Sequence, residues 1–108
     1  MTQYLYQAAY SAESLAAQMK NPTDRLAEVG ALLEQSVGAR IIGGGFSFGE
    51  YDVTVVVEAA DDQTMAAVAI AIGAGGAIRS AKTTPLLTGD EWIAAMTKAS
   101  SITYTPAG

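Results

Sequence analysis

The sequence predicts an α+β domain in which one four-stranded antiparallel sheet carries helices on a single face. Three observations carry that expectation. Residues 39–48 and 51–59 are strand-like runs joined by Gly49-Glu50, which marks a hairpin. Val53, Val55 and Val57 alternate with Thr54 and Glu58, the period of a strand buried on one face. Stretches with three- and four-residue apolar spacing precede and follow the hairpin, and each is bordered by a further strand-like run.

In chain order, residues 3–10 read as strand β1, with Tyr4, Tyr6, Ala8 and Tyr10 on one face and Leu5, Gln7 and Ala9 on the other. The sequence leaves open which face is inward. Ser11 caps a short helix α1 that runs to Lys20 and stops at Asn21-Pro22, since proline disfavours helix in the residue before it. Asn21 then caps helix α2, with Pro22 in its first position, Leu26, Val29, Leu33 and Val37 along one face, and Gly38 at its end. β2 covers 39–48 and β3 covers 51–59. A two-residue type II′ turn at Gly49-Glu50 requires a positive φ at Gly49. It sets Phe48 opposite Tyr51, Phe46 opposite Val53, Gly44 opposite Val55 and Ile42 opposite Val57, all toward the helices. Ser47 with Asp52, Gly45 with Thr54, Gly43 with Val56 and Ile41 with Glu58 take the open face; a one-residue slip would bury Asp52 and Glu58.

Asp61 or Asp62 caps helix α3, whose core stripe is Met65, Val68, Ala69 and Ile72. Its far side, Ala66, Ala67, Ile70 and Ala71, is also apolar, which calls for a second covering surface. Gly75-Gly76 ends it, β4 spans 77–84 before Pro85, and Thr88 with Glu91 forms a capping box for α4, 89–99, with Leu87 and Trp92 placed as a hydrophobic staple. One domain therefore spans residues 1–100, with a short loose tail at 101–108. The order is the ferredoxin-like β-α-β-β-α-β plan plus a C-terminal helix. Right-handed crossovers give strand order 4-1-3-2, with the glycine-weakened β2 at an edge.

The chain has 108 residues, 50% of them hydrophobic, enough for a core without staples. It has no cysteine and no histidine, which excludes disulfides, thiolate metal sites, a Ser-His-Asp triad and the usual zinc sites. Eleven acids against six scattered bases give a charge of −5 and disfavour nucleic acid as a partner. No apolar run reaches the roughly 20 residues of a membrane span. The N-terminus Met-Thr-Gln-Tyr has no charged leader region, so a cytoplasmic location is the default.

Phe48-Gly49-Glu50-Tyr51-Asp52, the valine run, Glu58 with Asp61-Asp62, the alanine-rich α3, Gly76-Ala77-Ile78-Arg79 and the exit Thr83-Thr84-Pro85-Leu86 together resemble the GYD domain. The resemblance covers roughly residues 3–97. It implies a ferredoxin-like α+β barrel protomer of the kind found in small bacterial proteins, and supplies no established activity or catalytic set. The chain departs from the pattern at Gly43-Gly44-Gly45, where bulkier strand residues are expected.

Those three glycines lack the Lys-Ser/Thr and following helix of a phosphate loop, so they read as a bulge, a close backbone approach or space for a ligand or neighbour. No cofactor and no metal is expected. Asp52, near Ser47 and Thr54 on the open face, reads first as a turn aspartate accepting amide hydrogen bonds, and second as a ligand-orienting group or base. Arg79 could meet an anionic group or pair with Glu58, and Tyr6 would join this set if the tyrosine stripe faces the open side. The reading is a homo-oligomer, an α+β barrel with its open sheet face covered by a partner, binding or sensing a small, mostly apolar molecule through Asp52, Thr54, Ser47, Arg79 and Tyr6. The alternatives are a cofactor-independent enzyme of the dimeric α+β barrel type and a structural assembly unit without ligand.

Overall fold

The computed structural model describes every residue from Met1 to Gly108. Its elements are β1 (Thr2–Tyr10), α1 (Ala12–Lys20), α2 (Arg25–Val37), β2 (Arg40–Phe46), β3 (Val53–Ala59), α3 (Asp62–Ala74), β4 (Ile78–Leu86) and α4 (Gly89–Ala99). All three strand pairings are antiparallel, in the order β2-β3-β1-β4, which is the expected 4-1-3-2 read from the other edge.

The central pair fixes the inside. Tyr4 lies opposite Val57, Tyr6 opposite Val55 and Ala8 opposite Val53, and all six are buried. Leu33 of α2 and Met65 and Val68 of α3 complete this cluster, with Leu26, Val29, Ala69 and Ile72 packed at its border. Burying each large side chain contributes about 1.5–3 kcal/mol, so this row dominates the fold's stability. The tyrosine stripe of β1 thus faces the helices, and the face left open by the sequence is resolved.

The hairpin register holds from Gly43 to Phe46, with Gly44 opposite Val55 and Phe46 opposite Val53. Beyond Gly43 it shifts, and Ile41 rather than Ile42 meets Val57. The extra residue is Ile42, left 43% exposed, while Ile41 packs on the core in its place. Two residues on, the backbones approach closely: Gly44 has φ +85°, and a Cβ there would overlap the Thr54 carbonyl oxygen. The turn is also wider than expected. Gly49 has the positive φ of 129°, but the last ladder bond is Ser47 N–H to Asp52 O at 2.8 Å, and none joins Phe48 to Tyr51. Phe48 therefore lies beyond the paired strands, 99% exposed, and not among the valines.

Helix starts follow the strongest side-chain acceptors. Ser11 Oγ accepts from Ser14 N–H and opens α1. Asp24, not Asn21, opens α2 by accepting from Ala27 N–H at 3.1 Å; Asn21 closes α1 instead, and Pro22 lies in the connection. Asp61 caps α3 through Thr64, which frees Asp62 to accept the Tyr4 phenol at 2.6 Å. Pro85 falls inside β4, tolerated because β4 is an edge strand. The capping box of α4 is present, with Thr88 and Glu91 exchanging bonds of 2.9 and 3.1 Å. That helix buries no residue, and Leu87 and Trp92 both stay exposed. It helps stretch the radius of gyration to 17.2 Å, against roughly 13 Å for a compact chain of this length. No helix is long and apolar enough to cross a membrane.

The three neighbouring glycines should respond differently to a methyl group. Gly44→Ala meets backbone in the left-handed region and is expected to cost about 2–3 kcal/mol. Gly43→Ala and Gly45→Ala meet open space, so each should cost less than about 1 kcal/mol. Urea melts of the three variants measure the contrast.

Candidate functional site

One face of the sheet carries α2 and α3; on the other, Leu5, Gln7, Thr54 and Val56 are half-buried, and Ala9 alone of that face is fully buried. At the hairpin end of that open face, Gln7, Ser47, Tyr51, Thr54 and Lys82 line a shallow hollow of about 390 Å³. Strand register builds it, since Gln7 lies opposite both Thr54 of β3 and Lys82 of β4. Ser47 Oγ donates to the Tyr51 carbonyl at 2.8 Å and lies 3.0 Å from Thr54 Oγ1. A serine hydroxyl has one proton, so with that proton on Tyr51 the Thr54 hydroxyl donates to Ser47. Each hydroxyl is already oriented before any ligand arrives.

Ser47 and Thr54 are thus brought together as expected, but Asp52, Arg79 and Tyr6 do not join them. The Asp52 carboxylate accepts from Tyr10 N–H at 2.9 Å, and Asp52 N–H donates to Ala8 O at 2.9 Å. It pins the hairpin to the end of β1. Arg79 is the extra residue of a bulge in β4, where Ser80 meets Ala9 and Ile78 meets Tyr10; it is exposed and makes no ion pair with Glu58. Tyr6 lies on the helix side. Tyr51, placed inward by the expected turn, instead lines the open hollow because the turn widens. Gln7 and Lys82 were missed, because no sequence signal sets the β1–β4 register.

Two further hollows on the helix side border α2. A groove of about 470 Å³ runs between α2 and β2, over the space that Gly44 and Gly45 leave bare. A second, between α2 and α3, is floored by Tyr6 and Tyr10. Burial pushes both phenols above their ordinary 10.0; for Tyr10 the Arg25 charge works the other way and the Asp52 charge adds to the rise. Tyr4 is raised first by its bond to Asp62, then by burial and by the Asp62 charge. No group of three or more His, Cys, Asp or Glu stands close enough to hold a metal.

The family model of the GYD domain matches residues 4–96, so the chain belongs to that family. No curated protein matches it. No solved structure does either.

Asp52→Ala should destabilise by about 1.5–3 kcal/mol, because it leaves the Tyr10 amide without its charged acceptor. Asp52→Asn, which keeps an oxygen there, should cost less. Thermal melts of both variants test this; a neutral Asp52→Ala would contradict a structural role. For the tyrosines, the fold favours the neutral phenol. Their contribution is therefore complete below pH 10 and is lost as pH rises through the raised folded values. In an absorbance titration, at least three of the five tyrosines are expected to ionise above pH 10.0, together with loss of the folded circular dichroism signal.

Proposed function

We propose that this GYD-domain chain is a self-associating domain that holds a small, mostly apolar molecule in a compartment on its open sheet face. The observation that carries the reading is the half-buried apolar surface of the open face. Leu5, Val56 and Leu86 lie along it, and Gln7, Ser47, Thr54 and Lys82 gather at its hairpin end. A second copy laid over this face converts the shallow hollow into an enclosed space with an apolar floor and a polar end, the composition that orients a ligand. The outer side of α3, where Ile70 is 69% exposed, is further apolar surface in want of cover.

The acid–base reading has less support. It drew on Asp52, Tyr6 and Arg79 acting together, and these lie at the hairpin base, under the helices and in the β4 bulge. Lys82 and Glu50 are the charged groups that border the hollow, so a ligand there would meet a cation and a carboxylate at its polar end.

Sedimentation is expected to show a dimer at micromolar concentration, burying on the order of 1,000 Å² or more in total. Val56→Glu should shift it to monomer, because an isolated charge on that face cannot be covered without large desolvation cost. A wild-type monomer would overturn the assembly. Native mass spectrometry reads the second half: a dimer with retained small-molecule mass supports the compartment, whereas a bare dimer leaves assembly as the role.

A further inference from the structure

The helices α2 and α3 do not close over the central strands. Between them lies a cleft of about 240 Å³, with 12 of its 14 lining residues hydrophobic. Tyr6, Ala8 and Tyr10 of β1 form its floor, Val29 and Leu33 one wall, and Ile72 the other. Ala8 makes it deep, because a small residue stands between two tyrosines in the same row.

The two phenols set this cleft apart from a packing gap. Tyr6 is only 5% exposed and Tyr10 8%, yet neither oxygen has a hydrogen-bond partner in the chain. No side-chain polar atom in the protein is both sealed from solvent and unpaired, so each of these oxygens keeps an accessible side, in the cleft that both rings line. Buried tyrosine hydroxyls ordinarily find a partner. Tyr4, in the same stripe, has one in Asp62. For Tyr6 and Tyr10 no protein group serves, so the accessible side of each hydroxyl is left for solvent or for a molecule in the cleft. The space equals roughly eight waters of liquid volume, and along the Val29, Leu33 and Ile72 walls such water finds no polar side chain.

We propose that the cleft between α2 and α3 is a binding site for an uncharged, single-ring molecule bearing a carbonyl oxygen, which Tyr6 and Tyr10 hold as paired hydrogen-bond donors. Size sets the single ring, since benzene fills an apolar cavity of roughly 150 Å³. Apolar walls favour the ring, and two phenol donors on the floor favour an acceptor. The surroundings favour a neutral ligand: Arg25, at the rim, already pairs with Glu28 at 3.0 Å, so an anion would compete with that carboxylate and lose hydration against apolar walls. Both phenols stay protonated at neutral pH because burial holds their ionisation above its ordinary range. This site lies on the opposite side of the sheet from the open-face compartment and does not depend on it.

The test titrates the full chain, with labelled methyl groups, against acetophenone, ethylbenzene and benzoate. Acetophenone is expected to shift the Val29, Leu33 and Ile72 methyl signals saturably. Ethylbenzene, with the same ring and no acceptor, should bind roughly tenfold more weakly, the effect of one lost hydrogen bond. Benzoate should leave the signals in place. In the double variant Tyr6→Phe/Tyr10→Phe, acetophenone should lose its advantage and bind like ethylbenzene. Equal affinity for the two neutral probes in the unaltered chain would overturn the proposal without recourse to any variant. So would absence of acetophenone binding, shifts confined to Thr54 and Val56 on the open face, or a preference that survives in the double variant.

Discussion

The side-chain row shared by β1 and β3 is the constraint from which the rest of the structure follows. Tyr4, Tyr6 and Ala8 stand directly opposite Val57, Val55 and Val53, and every one of them is buried. Strand geometry then sends Leu5, Gln7 and Ala9, with Thr54, Val56 and Glu58, to the other side. One choice of register therefore defines a core under α2 and α3 and a second face behind it, where Leu5, Gln7, Thr54 and Val56 are only half-buried. A slip of one residue would exchange the two and bury Glu58.

The polar groups attached to that row take distinct roles according to what reaches them. Tyr4 meets Asp62 at the start of α3 and ties strand to helix. Asp52 meets the Tyr10 amide and ties the hairpin to β1. Ser47 and Thr54 meet each other at the edge of the open hollow. Tyr6 and Tyr10 meet no protein group, because α2 and α3 stand apart above them. The same sheet thus presents two chemically different hollows, a mixed polar one bordered by Lys82 and an apolar one with two donors on its floor.

Much of this was legible because it rests on local rules. The valine alternation, the Phe46–Val53 and Gly44–Val55 pairing, the glycine stop of α2, the capping box of α4 and the edge position of β2 all follow from periodicity and turn or cap chemistry. The GYD resemblance pointed to the same fold, and the family match over residues 4–96 agrees. What was not legible depends on competition or on distance. Asn21 and Asp24 both suit a cap, and only the path of the chain after Pro22 selects Asp24. The bulge at Ile42 precedes the close backbone approach at Gly44, and no periodicity signals it. The inward face of β1 and its pairing with β4 depend on residues far apart in the chain, so Lys82 could not be set beside Gln7 from sequence, nor Tyr6 removed from the open face.

The most direct test of the account is which protons lie near the rings of Tyr6 and Tyr10. Nuclear Overhauser spectra of the folded chain should connect these rings to methyl groups of Val29 and Leu33 in α2 and Ile72 in α3. Cross-peaks instead to the side chains of Thr54 and Val56 would put the tyrosines on the open face. That result would reverse the inside and outside of the sheet and contradict the account at its base.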